Sequence, residues 1–391
     1  MNEGQAIVEA FAELATRGER AALVTVIETQ GSVYRRPGAR MLVTRDGRTV
    51  GAISGGCLEN DVRARAQATI TTGESRIVTY DTTSDSDLVW GLGLGCNGVV
   101  RVLIERLSPD GGPSPVSLLA ECLYRRQPGV LAVVVRVEGQ VGIRVGARLL
   151  VFPDGAVAGE LANAEFTARA LDDARAVLRD QRPFLRRYRL PEGTVQVFLE
   201  PVQPPLNLTV FGAGYDAVPL IHLAKELGWQ ATVIDERAAY ATRERFPQAD
   251  QVQLARPSDL PQEVLSTTDA AVIMTHHYLH DRAWLRLLLP SPVRYVGLLG
   301  PKRRCQRLLQ DLTEQGVRFT QEQLRRLHAP VGLDIGAETL EEVALAITAE
   351  IKAVLAGRSG GLLKDRKAPI HDDEAAPGMI DSHALRQHLA G

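Results

Sequence analysis

Apolar residues recur along this chain in two rhythms, and the change from one to the other divides it. Near the start, Ile7, Phe11 and Leu14 stand at i, i+4 and i+7, the spacing of a helix with one buried face. A largely apolar, β-rich run over 22–27 predicts a strand. Shorter runs over 40–44 and 48–53 flank Asp46-Gly47, a hairpin turn signal. A helix is predicted from Cys57 to about 71 and a strand over 76–80. Beyond Pro201–Pro205 the rhythm becomes strand–helix alternation, with strands over 208–211, 231–234, 270–274 and 295–299. Helices over 217–227 and 339–355 belong to this second part, and alternation of this kind predicts a parallel sheet covered by helices on both sides.

The first part repeats itself. Residues 31–51 align without gaps onto 139–159, with 11 of 21 positions identical, including Gly38-Ala39-Arg40 against Gly146-Ala147-Arg148. The preceding strand recurs over 131–137, the following helix over 167–178, and 98–105 recurs as 193–200. The expected fold class is therefore α/β: an N-terminal α+β domain (1–200) with an internally duplicated β-rich unit, then a C-terminal Rossmann-like doubly wound parallel sheet. The two copies run over about 20–105 and 129–202, the proline-rich linker over 201–206, the second domain over 207–356 and a flexible tail over 357–391. The copies differ at two glycine loops found only in the first, 54–59 and 91–97. Shared residues read as scaffold, so unshared loops are where a site would be grafted.

Composition narrows the class. With 391 residues, 45 Lys+Arg and 47 Asp+Glu, the formal charge is −2, which gives no support to a nucleic-acid partner. Hydrophobic residues at 45% exclude disorder of the whole chain, and no run approaches the ~20 apolar residues of a membrane span. No signal peptide is visible, and four cysteines without a CxxC pair predict a reduced, cytoplasmic, soluble protein. A symmetric homodimer is the commonest state for such a protein, and the oligomeric state stays open.

Candidate chemistry gathers in four places. Gly212-Ala213-Gly214-Tyr215-Asp216-Ala217 reads GxGxxA between a strand and a helix. There Gly212 permits the tight turn, Gly214 lets backbone approach a pyrophosphate, and the helix N-terminus offers N–H groups. Asp235, 21 residues after Gly214, stands where an acid binds ribose hydroxyls, and Arg237 reads either as a 2′-phosphate partner or as a solvated residue. His276, His277, His280 and Asp281 follow the strand over 270–274; polarisation of a substrate, or helix capping by Asp281, is favoured over a metal. Lys302, Arg303 and Arg304 open a helix against its dipole, which points to a held anion or to a solvated charge run. Cys122 and Cys305 sit at helical spacing with leucines and read as core. Cys57 follows Ser54-Gly55-Gly56 at the predicted start of a helix, where thiolate is favoured, and Cys96 follows Gly95 in a glycine-rich loop suited to anions.

The sequence resembles the XdhC/CoxI family, accessory proteins for xanthine dehydrogenase and carbon monoxide dehydrogenase. The resemblance spans nearly the whole chain. It is carried by Gly31-Ser32 with Arg35-Arg36-Pro37-Gly38, Ile53-Ser54-Gly55-Gly56-Cys57-Leu58-Glu59 and Gly95-Cys96-Asn97-Gly98. Further marks are the loop over 212–217, the stretch over 295–302, Ala329-Pro330-Val331-Gly332-Leu333-Asp334-Ile335-Gly336-Ala337 and Pro369-Ile370-His371. The pattern departs at His277, where an acid is expected, and in the longer tail after His371. The resemblance implies a chaperone that binds the molybdenum cofactor (molybdopterin, in mononucleotide or dinucleotide form). Such a protein supports sulfuration by a cysteine desulfurase or sulfurtransferase and insertion into a molybdenum hydroxylase apo-enzyme. It implies that Cys57 and Cys96 hold the molybdenum. The nucleotide-like end falls to Gly212, Gly214, Asp235 and Arg303. Two other readings remain: an NAD(P)-dependent oxidoreductase with His276 or His277 as acid/base, and a protein–protein adaptor with a vestigial Rossmann domain.

Overall fold

The computed structural model describes residues 3–31, 33–81, 98–109 and 114–367. These fall into two compact units, one from Glu3 to Pro204 and one beginning at Pro205. No helix among the described residues is long and apolar enough to cross a membrane.

The N-terminal unit opens with α1 (Glu3–Thr16) and then runs β1 (Ala21–Gly31), β2 (Arg40–Thr44), β3 (Thr49–Gly51), α2 (Glu59–Thr72), β4 (Arg76–Asp81) and β5 (Gly98–Leu107). After α3 (Pro115–Arg125) come β6 (Gly129–Gly139), β7 (Arg148–Val151), β8 (Val157–Glu160), α4 (Ala164–Asp180), β9 (Phe184–Leu190) and β10 (Gly193–Val202). The two antiparallel sheets have the same plan, β3-β2-β1-β5-β4 and β8-β7-β6-β10-β9. Strand β1 is buried over its first seven residues because both its faces are covered. Ala22, Val24 and Val26 pack with Val62, Ala66 and Ile70 of α2, while Ile27 joins Leu131, Val133 and Phe198 between the sheets. In the second half Val130, Ala132 and Val134 pack likewise on Phe166, Ala170 and Ala174 of α4.

Charged residues join the halves reciprocally. Arg40 on β2 donates to both carboxylate oxygens of Glu200 on β10, at 2.8 and 2.5 Å. Arg148 on β7 donates to Glu105 on β5 at 2.6 Å. Gly38 and Gly146 make room for these carboxylates, since a Cβ would lie 2.6 Å from Glu200 Oε1 at the first and 3.0 Å from Glu105 Oε1 at the second. The repeated Gly-Ala-Arg is thus a clasp that each copy closes on the other.

The expected linker over 201–206 is shorter in the structure, because β10 continues to Val202. Pro201 is tolerated there because the pairing of β10 with β9 has ended at Leu199, so no neighbour on that side calls for its N–H.

The C-terminal unit is a six-stranded parallel sheet, ordered β13-β12-β11-β14-β15-β16. Its elements are β11 (Asn207–Phe211), α5 (Ala217–Glu226), β12 (Gln230–Asp235), β13 (Gln251–Leu254), α6 (Gln262–Thr267), β14 (Ala270–Ile273) and α7 (Tyr278–Leu288). They continue as β15 (Tyr295–Leu298), α8 (Lys302–Glu314), α9 (Gln321–Arg325), β16 (Leu327–His328) and α10 (Leu340–Leu355). One face packs on α5 and α10 through Leu220, Ile221, Ile347 and Ile351. The other packs on α7 and α8 through Trp284, Leu288, Leu308 and Leu312. The chain builds outward from β11 through β12 and β13, then returns to β14, so the order switches between β11 and β14. Ligands of open α/β sheets bind at such a switch, beyond the carboxyl ends of the strands.

A half-buried knot holds the far edge of this sheet. Glu350 of α10 accepts from Tyr295 Oη at 2.5 Å and from the Gly332 amide at 2.8 Å, and faces His328 Nδ1 at 3.2 Å. Burial raises the Glu350 carboxyl, but the bonds from His328, Tyr295 and Gly332 outweigh it and hold the group below its ordinary value of 4.5. The carboxylate therefore contributes stability that is complete above that value and is lost as pH falls through the lower folded value. Denaturant unfolding across acid pH should show the advantage of wild type over Glu350→Gln disappearing on acidification.

Candidate functional site

The Gly-Cys loop of the N-terminal unit folds around one hydroxyl. Ser54 is buried, and its Oγ accepts from the amides of Gly56 at 3.1 Å and Leu58 at 3.2 Å, and from Cys57 Sγ at 3.3 Å. It donates to Glu59, whose other oxygen accepts the Ser54 amide at 2.8 Å. This moves the start of α2 to Glu59, two residues later than expected. Cys57 therefore precedes the helix, and the nearby amides are engaged by Ser54 rather than presented to an anion. Gly56 takes φ +113, and Gly55 lies against the ring of Tyr34. Cys57 is partly exposed and packs at the margin of the core formed by β1, β2, β5 and α2. Gly95 and Cys96 lie outside the described residues.

In the C-terminal unit, the loops after β11, β12 and β14 meet at the switch point. Gly212 takes φ +118, with the Met274 carbonyl where a side chain would be. Asp235 is buried at the end of β12 and accepts from the Ala213 amide at 2.7 Å. It also accepts from Arg237, through the amide at 2.8 Å, Nε at 2.9 Å and Nη2 at 2.7 Å. Burial raises the Asp235 carboxyl, and these bonds overcome that and keep it below its usual value, so it stays ionised. Asp235, expected to bind ribose, and Arg237, expected either to meet a 2′-phosphate or to lie in solvent, are bonded to each other in this structure. Arg237 also lies 3.9 Å over the ring of Tyr240.

Asp216 is the residue that sequence reading passed over. It opens α5 without capping it, and its carboxylate lies over Gly214, against the place a Cβ would take. Its Oδ2 meets His276 Nε2 at 2.6 Å. His276 takes φ 58, a left-handed conformation that costs a residue with a Cβ and persists where surroundings fix it. The signal for Asp216 in the sequence was an acid at the fifth position of the fingerprint, where phosphate is due.

The other histidines diverge. His280 pairs with Glu236 at 3.0 Å, and the His277 and His280 ring centroids lie 3.9 Å apart with the rings tilted by 37°. Among the described residues, no three His, Cys, Asp or Glu side chains are grouped to hold a metal ion. Asp281 is buried and does not cap α7; it accepts from Thr275 Oγ1 and from Arg304 Nη2, each at 2.5 Å. Arg304 is thereby committed inside the fold, whereas Arg303 is exposed. A cavity of about 90 Å³ opens here, lined by Gly212, Asp235, Glu236, Arg237, Thr275, His277, His280 and Trp284.

Comparison with known proteins matches both units. The XdhC Rossmann domain corresponds to residues 208–351. The XdhC and CoxI family matches twice, over 14–81 and over 122–189. A protein of Bacillus subtilis (strain 168) described as a probable xanthine dehydrogenase subunit is 34% identical over 336 residues, 85% of this chain and 92% of that protein. The chain belongs to the XdhC and CoxI family. Other relatives span it equally well. The molybdenum cofactor insertion chaperone PaoD of Escherichia coli (strain K12) is 24% identical over 358 residues, covering 90% of this chain and 89% of PaoD. A crystal structure described as a xanthine dehydrogenase from Bacillus halodurans superposes with a TM-score of 0.69 at 29% identity, covering 90% of this XdhC and CoxI family chain and 96% of that one.

Proposed function

We propose that this chain matures the molybdenum cofactor: it binds the cofactor as cargo, supports its sulfuration by a cysteine desulfurase or sulfurtransferase, and passes it to a molybdenum hydroxylase apo-enzyme. The observation that carries this reading is the likeness to a molybdenum cofactor insertion chaperone along 90% of the chain. The N-terminal loop supports it. Cys57 offers a partly exposed thiol on a loop with two glycines, and a soft sulfur ligand suits molybdenum. Ser54, Gly55, Gly56 and Gly95 would shape the approach to Cys57 and Cys96, and no turnover by the chain alone is required. The crevice over Gly212 and Gly214, with Asp235, Arg237 and His276 around it and Arg303 nearby in sequence, would serve the organic part of the cargo.

The test is expression in a cofactor-producing host, followed by assay of molybdenum and of the oxidised pterin. The wild-type chain should carry both, and Cys57→Ala should lower the molybdenum-to-protein ratio at least about tenfold, the cost already typical of losing a partner one shell beyond a metal ligand. Retention at the wild-type ratio would remove Cys57 from the site. A wild-type chain carrying neither molybdenum nor pterin would overturn the maturation role.

A further inference from the structure

We propose that the crevice over Gly212 takes its ligand by hydrogen-bond donors on a flat ring, and turns pyrophosphate away. A dinucleotide fingerprint holds phosphate because its second glycine leaves a seat beside the backbone and neighbouring amides point into it. Here that seat is filled from within. The Asp216 carboxylate lies over Gly214 in a residue only 9% exposed, and His276 holds it there. The Ala213 amide is spent on Asp235. The same loop is packed from outside by Arg245, which donates to the Ala213 carbonyl at 3.2 Å and lies 4.7 Å over the Tyr215 ring. A diphosphate would have to displace one buried carboxylate and approach another, Asp235, whose counter-ion Arg237 is already engaged. The residues present therefore do not fit NAD or NADP.

Beside the Asp235–Arg237 pair, the crevice offers the Glu236 carboxylate and ring faces. Glu236 holds His280 through one carboxylate oxygen, the His277 and His280 imidazoles lie against each other at a tilt of 37°, and the Trp284 indole lines the cavity. A ligand matching this surface is flat and carries amino or amidine N–H groups. Under the maturation role, on which this part rests, the pterin ring of the cargo has such an edge.

The experiment is calorimetric titration of the full chain with four probes: NADH, inorganic pyrophosphate, pterin (2-amino-4-oxopteridine) and lumazine, which carries an oxo group in place of the amino group. NADH and pyrophosphate should show no saturable binding. Pterin should bind at least about tenfold tighter than lumazine, the scale expected when a built hydrogen bond is left unmade. Glu236→Gln should erase that preference. Asp216→Gly, which empties the seat, should acquire pyrophosphate binding, and Asp216→Asn tests the charge alone if the glycine variant folds poorly. Saturable binding of NADH or pyrophosphate by wild type would overturn the proposal, as would equal affinity for the two pteridines or no affinity for pterin. A chain that carries molybdenum yet binds NADH would overturn this inference and leave the maturation role standing.

Discussion

Arg40→Met should cost the N-terminal unit about 3–5 kcal/mol of unfolding free energy, the range for breaking one side of a buried ion pair. Arg40 and Glu200 are each 7% exposed, so the carboxylate left behind has no water to turn to. Most of the loss is the stranded charge rather than the lost attraction. Adding Glu200→Leu should therefore restore most of the stability, because an apolar pair of similar volume needs no counter-ion. The deficit of the single variant should also shrink on acidification. Burial already pushes the Glu200 carboxyl up, and without Arg40 nothing opposes protonation. Chemical denaturation of the wild type and both variants at two pH values checks each point. A loss below about 1 kcal/mol would mean the pair behaves like an exposed one.

Gly212→Ala should be far more damaging than Gly214→Ala. A Cβ at Gly212 would lie 2.5 Å from the Met274 carbonyl oxygen and 2.7 Å from its carbon, and the backbone stands at φ +118. These are main-chain atoms at the end of β14, which cannot yield without parting β11 from β14, so a loss of at least about 2 kcal/mol is expected. A Cβ at Gly214 meets only the carboxylate of Asp216, whose displacement would break its contact with His276 but would part no strands. Thermal unfolding should therefore move by several degrees for the first variant, at roughly 2–4 °C per kcal/mol for a unit of this size, and by little for the second. Equal shifts would mean that displacing the Asp216 carboxylate costs as much as parting the strands.

The sequence displayed what depends on neighbours along the chain. The apolar run of β1, the turn at Asp46-Gly47 and the strand–loop–helix at Gly212 each rest on local pattern, and the parallel sheet follows from their alternation. What escaped depends on partners distant in sequence. Arg40 and Glu200 are 160 positions apart, and nothing in either segment announces the other. The start of α2 was misplaced because Glu59 folds back on Ser54, a contact that periodicity does not encode. At the crevice, residue types were readable but commitments were not. Asp235 and Arg237 suited a nucleotide by type, and geometry shows them bonded to each other, while His276 and Asp216 meet across 60 positions.

The double clasp between the sheets has a consequence for how such a protein diversifies. Each half secures its twin through Gly, Arg and Glu that both possess, and none of the six belongs to a Gly-Cys loop. The joint is thus indifferent to what either half does at its periphery. In the second half the loop ahead of α4 has settled for an ordinary cap, Asn163 accepting the Phe166 amide at 2.9 Å, where the first half wraps Ser54 around a thiol. One twin can carry a thiol-bearing loop and the other serve as its buttress, so drift in the buttress leaves that loop's fold intact.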